Sequence, residues 1–382
     1  MGYDYSMEAE TIGIIGGGQL GRMLTLAALP LGYRVVVLDP GANCPAKQVG
    51  AEQIVGQLDN KAALEKLAQQ ADYITIEIEH LDAVILQRIA DSGIPVNPSP
   101  KTIQLIQDKY AQKVFLQEHG IPVAPFVKLE DEAMASIQYD RYERSMIIKT
   151  RRNAYDGRGN LVVHDYDDIP KAFVQFKGQD LYAEKLIPFE KELAIMVAKD
   201  WEGTVALYPL VETMHERNIC VQVLAPAPVS QAITTKAESV ARQVAEHLEG
   251  AGLFGIEMFL TPEGDILVNE IAPRVHNSGH YTVEGCRTSQ FEQHIRAIAG
   301  LPLGSTELLM PAAVMINVLG ERDGPTQITG VKQVLNMPHT SLHLYGKSPT
   351  KVDRKMGHIT ATGRTLHEAR HNAEAARRSL SV

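Results

Sequence analysis

Gly252-Leu-Phe-Gly-Ile-Glu-Met-Phe-Leu260, Thr261-Pro-Glu-Gly-Asp265 and Ile266-Leu-Val-Asn-Glu-Ile271 follow one another, and the reading of the whole chain turns on them. Both flanks are apolar and rich in residues that favour strands, while Pro262, Gly264 and Asp265 are turn formers, so the stretch predicts an antiparallel hairpin. A four-residue turn, Pro262 to Asp265, sets Glu257 and Glu270 opposite each other on one face. Facing carboxylates repel unless a cation sits between them. Magnesium, held by one or two carboxylates plus nucleotide phosphates, is the obvious occupant. If the register slips, the alternative is two solvent-facing glutamates. Asn269 and Arg274 add polar groups beside the pair.

Working outward, Ala272-Pro-Arg-Val-His-Asn-Ser-Gly-His280 brings Arg274, His276 and Asn277 close enough to converge on a small planar anion. A lone histidine is more often structural, but here it has company. Further on, Tyr345-Gly-Lys347 and Arg354-Lys-Met-Gly-His358 offer basic groups for a phosphate, with a solvated basic surface as the competing reading. Upstream, Lys149 ends a strand and is followed by Thr150-Arg-Arg-Asn-Ala-Tyr-Asp-Gly-Arg-Gly-Asn160. Such a loop folds over phosphates or is a plain hairpin tip. Glu184-Lys-Leu-Ile-Pro-Phe-Glu-Lys-Glu192 links two strands and offers backbone to an adenine edge and Glu192 to ribose hydroxyls, although an ordinary linker looks the same.

The first segment alternates strands and helices from Thr11-Ile15 to Asp82-Ser92, a parallel βαβ pattern. Its turn, Gly16-Gly-Gly18-Gln-Leu-Gly21, fits G-x-G-x-x-G, and Asp39 ends the next strand. A dinucleotide, another ligand or tight packing all satisfy that turn. The prolines of Ile94-Pro-Val-Asn-Pro-Ser-Pro100 close the segment, a single helix is expected over Thr102-His119, and Ile121-Pro-Val-Ala-Pro125 makes a second break. The expected units are 1–110, 111–188, 189–310 and 311–382, the last a β-rich module.

A chain of 382 residues supports several domains, and 45% hydrophobic with 22% charged residues is a globular composition. A net charge of -9 argues against a nucleic-acid binder or a protein held on anionic lipid. Cys44, Cys220 and Cys286 are unpaired in spacing, which suits a reducing cytoplasm. No apolar run reaches the length of about 18 residues that a span needs. Gly2 with Ser6 fits a myristoylation pattern, discounted as a chance match.

Taken together, Lys149, Tyr155-Asp-Gly-Arg-Gly159, Glu184-Lys-Leu-Ile187, Glu192, Glu257 and Asn269-Glu270 resemble the ATP-grasp superfamily. Gly16-Gly-Gly-Gln-Leu-Gly-Arg-Met23, Asn277-Ser-Gly-His-Tyr-Thr282, Thr288-Ser-Gln-Phe-Glu-Gln-His-Ile295 and Leu342-His-Leu-Tyr-Gly-Lys347 with Arg354-Lys-Met-Gly-His-Ile359 are similar, within it, to the 5-(carboxyamino)imidazole ribonucleotide synthetase family. The resemblance runs from about Thr11 to the C-terminus. It implies an α/β and α+β architecture: a Rossmann-like parallel-sheet domain, a small lid, a central antiparallel-sheet domain and the short C-terminal module.

The implied chemistry is activation of bicarbonate by ATP to carboxyphosphate, then carboxylation of 5-aminoimidazole ribonucleotide in purine biosynthesis. By the same resemblance, Lys109 and Lys149 contact ATP phosphates; Ala154, Tyr155, Asp156, Gly157, Arg158, Gly159 and Asn160 form the closing loop. Glu184, Lys185, Leu186 and Ile187 hold adenine, Glu192 holds ribose, and His215 is a further nucleotide contact. Glu257 and Glu270, with Asn269, complete the magnesium site. Arg274, His276 and Asn277 grip bicarbonate or its phosphorylated form. Tyr155, Asp156, Arg158, Lys347, Arg354 and Lys355 surround the ribonucleotide, with Gln19, Leu20, Glu77 and Glu79 facing it and Asp156 accepting the proton from the amine. Arg152-Asn-Ala154 stands where the family often has glycines, which implies a stiffer loop. A homodimer is the family expectation. The remaining readings are a formate-using glycinamide ribonucleotide transformylase, a nicotinamide dehydrogenase and a non-catalytic nucleotide sensor.

Overall fold

A computed structural model describes residues 9–152 and 159–382. Its described residues form three sheets. The first comprises β1 (Thr11–Ile15), β2 (Arg34–Asp39), β3 (Glu52–Val55) and β4 (Tyr73–Ile76), all parallel in the order β3-β2-β1-β4. Strand β1 is buried throughout, as a parallel strand covered on both faces must be. The second sheet is antiparallel: β5 (Phe126–Leu129), β6 (Met146–Thr150), β7 (Asn160–Val163) and β8 (Leu181–Lys185), ordered β5-β8-β6-β7.

The third sheet contains β9 (Lys191–Lys199), β10 (Val205–Leu207), β11 (Val211–Glu216), β12 (Ile219–Ala225), β13 (Gly252–Leu260), β14 (Ile266–Ala272), β15 (Ala312–Leu319), β16 (Thr340–Leu344) and β17 (Lys355–Gly363). Its order is β14-β13-β9-β11-β12-β15-β17-β16, with β10 beside β9. The C-terminal strands therefore extend the central sheet through the β12–β15 ladder.

One apolar core joins the first and third sheets, running from Ile12 and Leu24 through Ala194 and Tyr281 to Tyr345. Buried His294 pins the same junction: its Nε2 lies 2.7 Å from Thr75 Oγ1, and its Nδ1 accepts from the Leu253 amide at 3.0 Å. The second sheet has a core of its own, Leu129 to Ala183. It meets the rest through the ring edges of Tyr110 with Phe126 and Tyr182 and through ion pairs. No helix among the described residues is long and apolar enough to cross a membrane.

The helix expected over Thr102-His119 is two helices, Pro100–Gln107 and Lys109–Glu118. Asp108 leaves helical geometry between them, and its carboxylate caps the second helix by accepting from the Ala111 amide at 3.1 Å. The same carboxylate receives Arg151 through Nε at 3.0 Å and Nη2 at 2.5 Å. A break that apolar periodicity hides thus puts Lys109 at a helix start beside the second sheet.

Candidate active site

Glu257 and Glu270 pair across the β13–β14 ladder. The route differs from the expected turn. The hairpin loop is Thr261 to Asp265, one residue longer, because Leu260 pairs with Ile266. With that loop alone, Asn269 would face Glu257 and Glu270 would turn to the opposite side. A bulge restores the pairing: Met258 opposes Val268 while Glu257 opposes Glu270, leaving Asn269 as the extra residue. Asn269 and Glu270 are both part-exposed between buried Val268 and Ile271, so two consecutive polar side chains serve one face.

Lys109 Nζ reaches Glu270 Oε2 at 2.5 Å. Burial alone would raise Glu270, yet the Lys109 ammonium holds its carboxyl well below the usual range. Glu257 has no lysine or arginine ion pair among the described residues, and burial together with the Glu270 charge pushes its carboxyl up. Two part-exposed carboxylates on one face, with an adjacent amide oxygen, make an oxygen-donor set that fits a hard divalent ion such as magnesium.

Beside this pair, Glu184 on β8 lies between two lysines, 3.2 Å from Lys149 Nζ and 3.5 Å from Lys113 Nζ. Burial opposes its ionisation, but the two ammonium groups hold it near 2. Lys113, only 2% exposed, is brought down by burial to about 8 and donates to the Val268 carbonyl at 3.1 Å. The sequence reading missed Lys113. Its signal was the spacing: Lys109 and Lys113 stand one helical turn apart, a repulsive pair unless carboxylates face both. On the other side, His215 pairs with Glu192; burial lowers its pKa, and the carboxylate outweighs burial and leaves it raised.

Arg274 leads to the second half of the site. Its Nε and Nη2 hold the Glu79 carboxylate at 2.6 and 3.0 Å, a bidentate pair. Burial pushes Glu79 up, but the guanidinium keeps it at about 2. His276 links the halves: Nε2 is 3.7 Å from Glu257 Oε1, and Nδ1 is 2.7 Å from Ser278 Oγ. Burial, reinforced by Arg274, lowers His276 to about 3, so its imidazole is neutral. Asn277 is engaged elsewhere, in reciprocal amide bonds with buried Asn317 at 3.0 and 2.6 Å, a partner forty residues away that no local pattern signals.

The glycine turn has its own occupants. Gly17 N–H donates to Asp39 Oδ2 at 3.0 Å and Gly21 N–H to Glu77 Oε2 at 2.9 Å. Gly16 holds φ +107°, and a Cβ on Gly18 would lie 2.2 Å from Glu77 Oε1. Carboxylates therefore take the amides that a dinucleotide pyrophosphate would need, and Asp39 serves the turn. Burial raises the Glu77 carboxyl. At the mouth, Lys347 Nζ bonds Gln19 Oε1 and donates to the Lys355 carbonyl at 3.0 Å, while Arg354 Nη1 donates to the Pro349 carbonyl at 2.6 Å.

Some expected contacts face elsewhere. The Leu20 side chain is in the core, so only its backbone is free to face a ligand. Lys185 pairs with Glu143 at 2.8 Å, Leu186 is exposed, and Ile187 is part-exposed. Gly159 accepts from the Thr150 amide at 2.8 Å, and Asn160 keeps a buried Oδ1 without a partner among the described residues. Ala154, Tyr155, Asp156, Gly157 and Arg158 lie outside the described residues.

Comparison with known proteins places the chain in a family. The ATP-grasp domain family matches residues 114–291, the ribonucleotide synthetase preATP-grasp domain residues 9–107, and the phosphoribosylaminoimidazole carboxylase C-terminal domain residues 313–372. Fold and site thus define an ATP-grasp protein. Phosphoribosylaminoimidazole carboxylase of Ogataea methanolica is 46% identical, over 94% of this chain and 68% of its own length. The chain spans about two thirds of the fungal and plant carboxylases it matches. N5-carboxyaminoimidazole ribonucleotide synthase of Brucella melitensis is 39% identical, over 92% of this chain and 96% of its own. The Aspergillus clavatus N5-carboxyaminoimidazole synthase, solved with ADP and 5-aminoimidazole ribonucleotide, superposes with TM-score 0.90 at 40% identity, covering 97% of this chain and 98% of that one. The chain belongs to the N5-carboxyaminoimidazole ribonucleotide synthase family.

Proposed function

We propose that the chain is an ATP-dependent carbon–nitrogen ligase that carboxylates the exocyclic amine of 5-aminoimidazole ribonucleotide with bicarbonate, a step of purine biosynthesis, leaving ADP and phosphate. The observation that carries this reading is the continuity through His276. The carboxylate pair Glu257 and Glu270, suited to ATP phosphates, abuts the Arg274–Glu79 pocket, suited to an anion, through one neutral imidazole.

In the proposed mechanism a bicarbonate oxygen attacks the γ-phosphorus and ADP departs. The amine then attacks the carboxyphosphate carbon, phosphate leaves and the amine loses a proton. Lys149 and Lys109 face the phosphoryl groups; Glu192 faces the ribose, and His215 is a further nucleotide contact. Arg274 and His276 orient bicarbonate, while Lys347, Arg354 and Lys355 receive the ribonucleotide phosphate. Glu257, Glu270 and Asn269 would hold magnesium, which when bound offsets phosphate charge. Exclusion of water protects carboxyphosphate from hydrolysis. The role of Asp156 as proton acceptor and the homodimer belong to the same proposal.

Phosphate release from ATP is expected to require 5-aminoimidazole ribonucleotide, and carboxylated product to require bicarbonate as well. Equal turnover with glycinamide ribonucleotide and formate would overturn the reading. Light scattering at twice the chain mass would support the dimer.

A further inference from the structure

Three polar side chains meet away from the residues given a role above. Glu284 comes from the short helix Thr282–Gly285, His343 from β16 and His358 from β17, where His343 and His358 are direct cross-strand partners. Their imidazoles stack with centroids 4.5 Å apart and planes 9° apart. One carboxylate oxygen and one nitrogen from each ring all lie within 4.8 Å of one another. Glu284 Oε1 and His343 Nε2 are hydrogen-bonded at 2.5 Å, which satisfies only half of the cluster. Glu284 Oε2 and His358 Nε2 are buried with no partner among the described residues, and His358 is fully buried. Such atoms cost desolvation unless something else binds them.

The outer contacts favour a ligand set. Tyr345 Oη is 2.8 Å from His358 Nδ1, and a phenol oxygen both donates and accepts; in the tautomer whose Nδ1–H donates to it, the Nε2 lone pair is free, the arrangement that outer partners impose on metal-bound histidines. His280 is excluded by the same logic. Gln290 Nε2 donates to its Nδ1 at 3.0 Å, which places the His280 proton on Nε2 and makes that atom a donor.

We infer that Glu284, His343 and His358 form a second cation site, for a borderline divalent ion such as Zn2+, with one position open to water. Two imidazoles with one carboxylate suit zinc and disfavour magnesium. Zinc–nitrogen bonds of about 2.0–2.1 Å need the donors to close by roughly 1 Å, and because each lone pair lies in its own ring plane the His343 ring must turn out of its stack on His358; it stands on β16, the last strand of its sheet. Entry is open, because the side chains of His343 and Glu284 are 28% and 24% exposed. Binding opens the Glu284–His343 hydrogen bond, and the ring proton of His343 moves to Nδ1. The ion would tie the segment after Asn277 to the strands flanking Lys347 and Lys355.

The test uses the tag-free full chain, stripped of metal with chelator and dialysed. Co2+ is titrated by visible absorbance and Zn2+ by calorimetry, for the parent, His343→Gln, Glu284→Gln and Glu270→Gln. Metal-free melting curves establish that each variant folds. One tight equivalent is expected in the parent and in Glu270→Gln, weakened by at least about 10- to 100-fold in the other two. Zn2+ should raise the melting temperature of the same two proteins only. No saturable binding by the parent would overturn the inference. So would binding that survives both His343→Gln and Glu284→Gln, or binding that Glu270→Gln removes.

Discussion

Glu257 and Glu270 face each other across one rung of the β13–β14 ladder, yet Lys109 makes its ion pair with Glu270. The asymmetry assigns unequal duties. Glu270 stays ionised beside its lysine, whereas Glu257 holds its proton more tightly than an ordinary carboxyl and releases it more readily as positive charge arrives.

Glu270→Gln removes the ionised member. Turnover in a phosphate-release assay should fall by roughly 100-fold or more, the scale of losing a charge-stabilising group. The magnesium concentration for half-maximal rate should rise. Unchanged turnover, or a protein that no longer folds, would count against a metal role.

Glu257 makes metal-free stability depend on pH. Its folded-state pKa is raised, so the folded protein holds the proton more tightly than the unfolded chain. The resulting stabilisation is present below the unfolded value of about 4.5 and fades as pH rises through the folded value. Melting temperature in chelator should drop along that rise and less steeply in Glu257→Gln. Magnesium should flatten the parent curve.

Glu79 and Arg274 carry the opposite sign. Glu79 is held at about 2, so its contribution is full above the unfolded pKa and is lost as pH falls from there through the folded value. Glu79→Gln leaves a largely buried guanidinium unpaired and should cost about 3–5 kcal/mol in denaturant unfolding. The double variant Glu79→Leu with Arg274→Met should recover part of that loss. A double variant as unstable as the sum of its singles would mean that the pair is not coupled.

Lys355 lies at the start of β17, far in sequence from the nucleotide residues. A charge-assisted contact to phosphate is worth about 1.5–3 kcal/mol. At about 1.4 kcal/mol per tenfold, Lys355→Ala should raise KM for 5-aminoimidazole ribonucleotide by roughly 10- to 100-fold while KM for ATP moves by less than about 3-fold. A matching rise for ATP would place Lys355 in the nucleotide site or the fold.

Local pattern carried the strands and the paired glutamates well. Apolar runs bounded by turn formers located β13 and β14, since burial and turn chemistry are both written in adjacent residues. The bulge at Asn269 was hidden, because loop length and bulge offset one another and the sequence records only their sum. The break at Asp108 was hidden too, since a capping aspartate inside a continuous amphipathic pattern costs the pattern nothing. Asn277 with Asn317 and Thr75 with His294 join residues distant in the chain, and such pairs exist only once sheets are docked.

The separate apolar core of the second sheet sets how that sheet moves. Its junction with the rest includes Arg151 with Asp108, Lys113 with Glu184 and the ring edges of Tyr110, while its buried apolar residues form a cluster of their own. Swinging the sheet breaks ion pairs while its own core stays whole. It therefore acts as a cooperative unit whose amides exchange with solvent hydrogen together, at a free energy below that of global unfolding.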